Sequence, residues 1–278
     1  MTDLPYGAFT SAEYQAYIRA GAAELRAAVR TASQDAPVPT CPGWTLGDLV
    51  LHLGSVHEWA ALIVASGETK RPDRPHPSVP AAEPLADWYD GRVRHLLDTL
   101  RDTDPDKACW THQRDFRVSA YWSRRQAHEL AAHLADADIA LGRTPHYDAG
   151  LAADGIGEVL DVWLPLVARY TKRHPDLVAP LVLRCTDRSE SWLLSPCPDA
   201  APKVTGPHLG GAPRPDAAQP GAARPGAARP GEDRPVAEIT GSAADLLLAL
   251  WKRVDLDQLT VEGDVAVARR FLASALTP

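Results

Sequence analysis

Cysteine is scarce in this chain and nowhere clustered. Cys41, Cys109, Cys185 and Cys197 lie far apart and form no C-x-x-C pair, which excludes the common zinc-ribbon and thioredoxin-like signatures and favours a reducing compartment. No apolar run reads as long enough to span a bilayer, and the opening MTDLPYGAFT has neither a basic n-region nor an apolar h-region. The expectation is therefore a cytoplasmic protein with no membrane association. Positive charge is also in deficit. A net charge of -7 argues against a general nucleic-acid binder, which would carry a basic face, while leaving room for a local basic pocket that takes an anionic small molecule.

What is present suits two modest domains. The 278 residues exceed a minimal single core, and 45% hydrophobic with 23% charged residues is ordinary for a globular chain. The first half is helical in pattern. Thr10 and Glu13 form a capping box ahead of an Ala-rich stretch to about Ala32, and Thr45 and Asp48 form a second one just after the breaker Cys41-Pro42-Gly43. The spacing of Leu49, Leu53, Val56, Ala60 and Ile63 predicts a helix there. A Pro-rich loop from Arg71 to Pro84 precedes a third helix, carrying Leu85, Trp88, Tyr89, Leu96, Leu97 and Leu100 and ending near Asp104-Pro105. A fourth runs from about Ser119 to Leu141, with Gly142 as its stop. Four such helices predict a bundle over residues 1–150.

Residues 151–278 read as an α+β domain. A fifth helix, about Ala152 to Tyr170, leads into it. Pro180–Cys185 and Ser191–Leu194 look like paired strands around a turn at Thr186–Glu190. Further strands are expected at Val236–Ile239 and Leu259–Val261. Ser242 with Asp245 caps an apolar helix, and Asp264 caps the last one. The stretch of about 207–235 repeats Gly-Ala-Ala-Arg-Pro and has almost no large apolar residues. It cannot offset its ordering entropy and is expected to be a disordered Pro/Ala/Gly-rich insertion.

Residues 49, 52, 53, 56, 60 and 63 follow helical spacing, which places His52 in the buried stripe of the second helix. Alone, it reads as a core histidine with satisfied hydrogen bonds. The fourth helix changes that. Trp122, Gln126, Glu129, Leu130, His133 and Ala137 share one face, and Glu129 and His133 are i, i+4 neighbours. A carboxylate on an apolar stripe is costly unless it is paired or holds a cation. Two histidines and a carboxylate facing inward suit zinc or another divalent ion with open positions; an internal pair between Glu129 and a protonated histidine is the plainer alternative. The run His128-Glu129-Leu-Ala-Ala-His133 imitates the H-E-x-x-H protease motif with one residue too many. His128 and His133 are about 140° apart around a helix, so the protease reading is rejected. His128 and His57 are expected at helix interfaces or in solvent, and Cys41 outside the buried stripe as a structural residue.

The segments Cys41-Pro-Gly-Trp-Thr-Leu-Gly-Asp-Leu-Val-Leu-His-Leu53, Arg124-Arg-Gln-Ala-His-Glu-Leu-Ala-Ala-His133, Asp136-Ala-Asp138 and Asp154-Gly-Ile-Gly-Glu158 resemble the mycothiol-dependent maleylpyruvate isomerase family. So do Thr186–Trp192, Ile239-Thr-Gly241, Leu248–Arg253 and Val261-Glu-Gly-Asp264 in the second half. The resemblance implies a DinB-like four-helix bundle followed by a sterol-carrier-like α+β domain. It also implies a zinc site on His52, Glu129 and His133. Mycothiol is implied as thiol cosubstrate, its thiolate held by the metal and attacking a small electrophile, in either an isomerase or an S-transferase. An arginine that assists substrate chemistry in the family finds its counterpart in Arg253, although a cation satisfying helix C-terminal carbonyls accounts for Arg253 equally well. The rival class is a non-catalytic metal-binding regulatory or sensor module on the same scaffold.

Overall fold

A computed structural model describes residues 7–76, 79, 83–113, 115–171, 174–197, 200–206 and 235–278. The expected insertion, Pro235 apart, lies outside the described residues. The chain divides into two compact units, one ending at Tyr147 and the other beginning at Asp148.

The first unit is a four-helix bundle. Helix α1 (Ser11–Thr31) begins at the Thr10/Glu13 capping box, and α2 (Leu46–Ser66) begins at the Thr45/Asp48 box and ends on Gly67 in the left-handed region, at φ 69°. Helix α3 spans Leu85–Asp102 and α4 spans Ala120–Ala140. The packed pairs are α1 with α3, α3 with α2, α2 with α4 and α4 with α1, so α1 and α2 face each other diagonally. The core follows from periodicity: Tyr14, Ile18, Leu25 and Val29 on α1, Trp88, Tyr89, Leu96 and Leu100 on α3 and the near-continuous apolar surface of α2 are all buried in the bundle. Gly54 lets α2 approach α3 closely, since a Cβ there would lie 2.3 Å from the Trp88 ring.

One expectation needs correction. By length and composition α2 is able to cross a membrane, but 67% of its most apolar stretch is buried within the bundle. A helix that is apolar nearly all round has two fates, lipid or a protein core, and here the neighbours α3 and α4 supply the core.

The second unit is α+β. Helix α5 (Ala149–Glu158) passes through a π turn at Val159–Trp163 into α6 (Leu164–Thr171). Pro165 explains the wide turn: it has no N–H to give and crowds the preceding carbonyls, so the Leu164 N–H reaches back to Val159 instead. The sheet order is β3-β2-β1-β4-β5, with β1 Leu181–Cys185, β2 Ser191–Ser195, β3 Lys203–Thr205, β4 Ala237–Gly241 and β5 Thr260–Gly263. β1 and β4 are parallel and the remaining pairs antiparallel. Leu183 sits opposite Trp192 on one side and Ile239 on the other, and all three are buried. Helix α7 (Ala243–Leu250) starts at the Ser242 cap, where Asp187 also accepts from the Ala243 N–H at 2.9 Å, and α8 (Val265–Ala273) starts at Asp264. β3 went unforeseen because three residues carry no readable alternation.

Candidate metal centre

Helix α2 supplies one side of the site and α4 the other. His52 stands two turns into α2, and Glu129 and His133 stand one turn apart on α4. The His52 Nε2 lies 3.1 Å from Glu129 Oε1, and the His133 Nε2 lies 3.7 Å from the same oxygen. A set of ligand atoms from His52, Glu129 and His133 lies within 4.8 Å of one another. The structure therefore brings together the three residues that helical spacing singled out. Their side chains retain 24%, 18% and 13% exposure respectively, so the cluster is shielded yet reachable. The donor chemistry suits a divalent cation of the zinc type: two imidazole nitrogens and a carboxylate oxygen, with room for further ligands on the open side.

Around these three lies a supporting set that spacing alone did not reveal. Arg125, one turn before Glu129 and 3% exposed, donates to Glu129 Oε2 at 2.9 Å. Asp136 is fully buried and lies 2.9 Å from the Nδ1 of His133. That bond leaves the Nε2 facing the cluster. Trp44, in the loop before α2, packs over His52 and His133 with ring centroids 4.8 and 6.1 Å away. Arg125 and Asp136 carry a signal in hindsight, since they sit at i−4 and i+3 from a ligand on the same helix; Trp44 lies on a loop, where periodicity has nothing to say.

Cys41 must be reassigned. Its thiol donates to Asp136 Oδ2 at 3.5 Å, and Cys41, His133 and Asp136 form a second close group of ligand-type atoms. The turn Cys41–Trp44, closed by the Trp44 N–H to the Cys41 carbonyl, folds the cysteine back against α4 and behind His133, which a reading of α2 alone could not anticipate. His57 and His128 are buried at helix interfaces, the first of the two placements expected of them. His57 Nδ1 lies 2.7 Å from Gln126 Oε1 and its Nε2 lies 3.4 Å from the Tyr89 hydroxyl. His128 is buried edge-on to Tyr14, away from both clusters.

The electrostatics favour a charged cluster. Burial on its own would raise the Glu129 carboxyl, but hydrogen bonds from His133 and His52 and the Arg125 charge outweigh it and hold Glu129 well below the usual carboxylate range. Burial would lower His133, yet its bonds to Asp136, Cys41 and Glu129 hold it well above the usual imidazole value. His57 is pushed down to about 4 by burial against its Gln126 bond, and His112 to about 3 by burial and the Arg125 charge. Both stay neutral in the folded protein at neutral pH.

Arg253 lies just beyond α7. Its Nη1 donates to the Trp251 carbonyl at 2.6 Å and its guanidinium stacks over the Trp251 ring at 5.5 Å. This is the carbonyl-capping posture expected of a cation at a helix C-terminus.

Residues 16–138 match the family model described as the mycothiol maleylpyruvate isomerase N-terminal domain. The N-terminal domain belongs to this family. Over the whole chain, the fold is that of the mycothiol-dependent maleylpyruvate isomerase. A crystal structure of that enzyme superposes with TM-score 0.60 at 15% identity, and one of a histidine-to-alanine mutant with 0.59 at 14%. Each covers 95% of this chain and 97% of the other. No curated relative matches the chain in sequence. The fold agrees with the helical bundle followed by an α+β domain read from the sequence.

Proposed function

We propose that this protein is a metal- and mycothiol-dependent enzyme acting on a small electrophile, with maleylpyruvate isomerisation, the activity its structural relatives are named for, read as a cis–trans change, as the leading reaction and S-transfer as its variant. The observation that carries the proposal is the convergence of His52, Glu129 and His133 inside a mycothiol maleylpyruvate isomerase N-terminal domain.

His52, Glu129 and His133 would hold the ion, zinc by resemblance. A divalent ion bound there supplies Lewis acidity that keeps an incoming thiol in its thiolate form near neutral pH. The remaining work falls to the protein. Asp136 fixes the tautomer and orientation of His133, and Arg125 fixes the Glu129 carboxylate from the side away from His52 and His133. Trp44 shields the histidines on one side. The nucleophile comes from outside, because Cys41 is the chain's own thiol at this place and it is held behind His133 by Asp136. Isomerisation needs addition of the thiolate to a cis double bond, rotation about the resulting single bond, and elimination; transfer stops at addition. Arg253 is proposed to steady a substrate carboxylate or a developing enolate.

The rival reading, a metal-linked sensor without catalysis, is separated by experiment. Zinc-loaded protein incubated with mycothiol and either maleylpyruvate or a panel of thiol-reactive electrophiles should give the trans isomer or the S-adduct by mass spectrometry. Neither product across the panel, with metal stably bound, would favour the sensor.

A further inference from the structure

A groove of about 570 Å³ opens beside His52 and is lined by Trp44, His52, Ser55, Arg74, Pro75 and His76 among others. Among the described residues that line it, Arg74 is the one cation of permanent charge. Its Nε donates to Ser55 Oγ at 3.2 Å and its Nη2 donates to the His52 carbonyl at 3.1 Å, while the Ser55 hydroxyl donates to the Pro75 carbonyl at 3.2 Å. Three bonds thus pin the loop and its guanidinium to the edge of α2 that carries His52. Among the described residues no carboxylate pairs with Arg74. Glu129 is close enough for its charge to act on Arg74, but its oxygens are taken by His52 and Arg125. Asp48, which also lines the groove, is engaged in capping α2. The guanidinium has five N–H donors and two are committed, so the edge between Nη1 and Nη2 keeps a pair of parallel donors, the geometry that matches a carboxylate.

We propose that Arg74 is a specificity-determining residue that binds a carboxylate of the electrophile in this groove, turning the reactive carbon toward His52, Glu129 and His133. This rests on the function proposed above, and it places carboxylate recognition inside the N-terminal domain, whereas the family resemblance had pointed to Arg253 in the second unit. The groove is wide enough for a small dicarboxylate, and Trp44 gives its unsaturated carbon chain an aromatic wall.

The test is a calorimetric titration of maleate, its uncharged dimethyl ester and inorganic phosphate into zinc-loaded protein, comparing wild type with Arg74→Gln, Arg74→Lys and Arg253→Gln. Arg74→Gln should weaken maleate about ten- to a hundredfold, the scale of a lost charge-assisted contact, and leave the diester and the zinc content unchanged. Arg74→Lys should fall between. A purely structural strap predicts that both probes weaken together with thermal stability, and that result would overturn the proposal. So would maleate binding that ignores Arg74 and follows Arg253, or phosphate bound through Arg74 as tightly as maleate. A zinc assay on the loaded protein and a repeat of the titration on metal-stripped protein separate the two claims: wild type that fails to retain zinc after loading contradicts the metal reading, whereas the Arg74 dependence of maleate binding in stripped protein is judged by itself.

Discussion

At the scale of single residues, the site rests as much on its supports as on its ligands. Asp136 is the clearest case, a fully buried carboxylate whose bond to the Nδ1 of His133 holds that ring in place. Replacing it by Asn keeps the volume but removes the charge that makes the imidazole a better donor. Zinc affinity of Asp136→Asn, measured by competition with a chromophoric chelator, should fall about ten- to a hundredfold while the fold is retained. An unchanged affinity would reduce Asp136 to a packing residue. His57 makes a different prediction. Its folded value of about 4 lies below that of an exposed histidine, about 6.5, so between these values the unfolded chain binds more protons than the folded one. Stability therefore rises with pH through this window and is lost as pH falls from about 6.5 toward 4, by roughly 2 to 3 kcal/mol. Urea unfolding of metal-stripped protein at pH 7 and 4.5 should show that loss, and His57→Gln should show less of it, though starting from lower stability at pH 7 because the Tyr89 and Gln126 contacts are rearranged.

At the scale of elements, what could be read in advance and what could not divide along physical lines. Capping boxes are local, so the starts of α1 and α2 were legible at Thr10/Glu13 and Thr45/Asp48, and the hairpin between β1 and β2 was legible from its turn. Helical spacing likewise put His52, Glu129 and His133 on inward faces. Of the residues that escaped, Arg125 and Asp136 sit on α4 beside the ligands at a readable spacing, and the others are positioned by a loop. Trp44 and Cys41 reach the site through a turn, Arg74 through a proline-rich loop pinned to α2, and the π turn before Pro165 interrupts a pattern that otherwise reads as one helix. The family resemblance contributed the thiol chemistry, which spacing does not encode. Packing between elements is testable at Gly54. Gly54→Ala pushes a methyl into the Trp88 ring at 2.3 Å and should cost about 1 to 3 kcal/mol by forcing α2 and α3 apart. Gly91→Ala on α3, where a Cβ meets nothing within 4 Å, should instead stabilise by about 0.5 to 1 kcal/mol. Thermal unfolding of the two variants side by side checks both signs.

At the scale of the whole molecule, a bundle and an α+β unit keep the architecture of the mycothiol-dependent maleylpyruvate isomerase at 14 to 15% identity over 95% of the chain. Architecture survives such divergence because it needs only apolar spacing, caps and turns, whereas chemistry depends on a few side chains at one place. The proposed activity therefore depends on whether those side chains bind a metal. The direct measurement is elemental analysis of purified wild type, His52→Ala, Glu129→Gln and His133→Ala, before and after dialysis against zinc, with circular dichroism to verify folding. About one divalent ion per wild-type chain is expected, with its loss in each folded variant. Wild type that takes up no ion would contradict the proposal. So would an ion that survives His52→Ala and disappears in Cys41→Ser, because the ion would then sit on Cys41, His133 and Asp136.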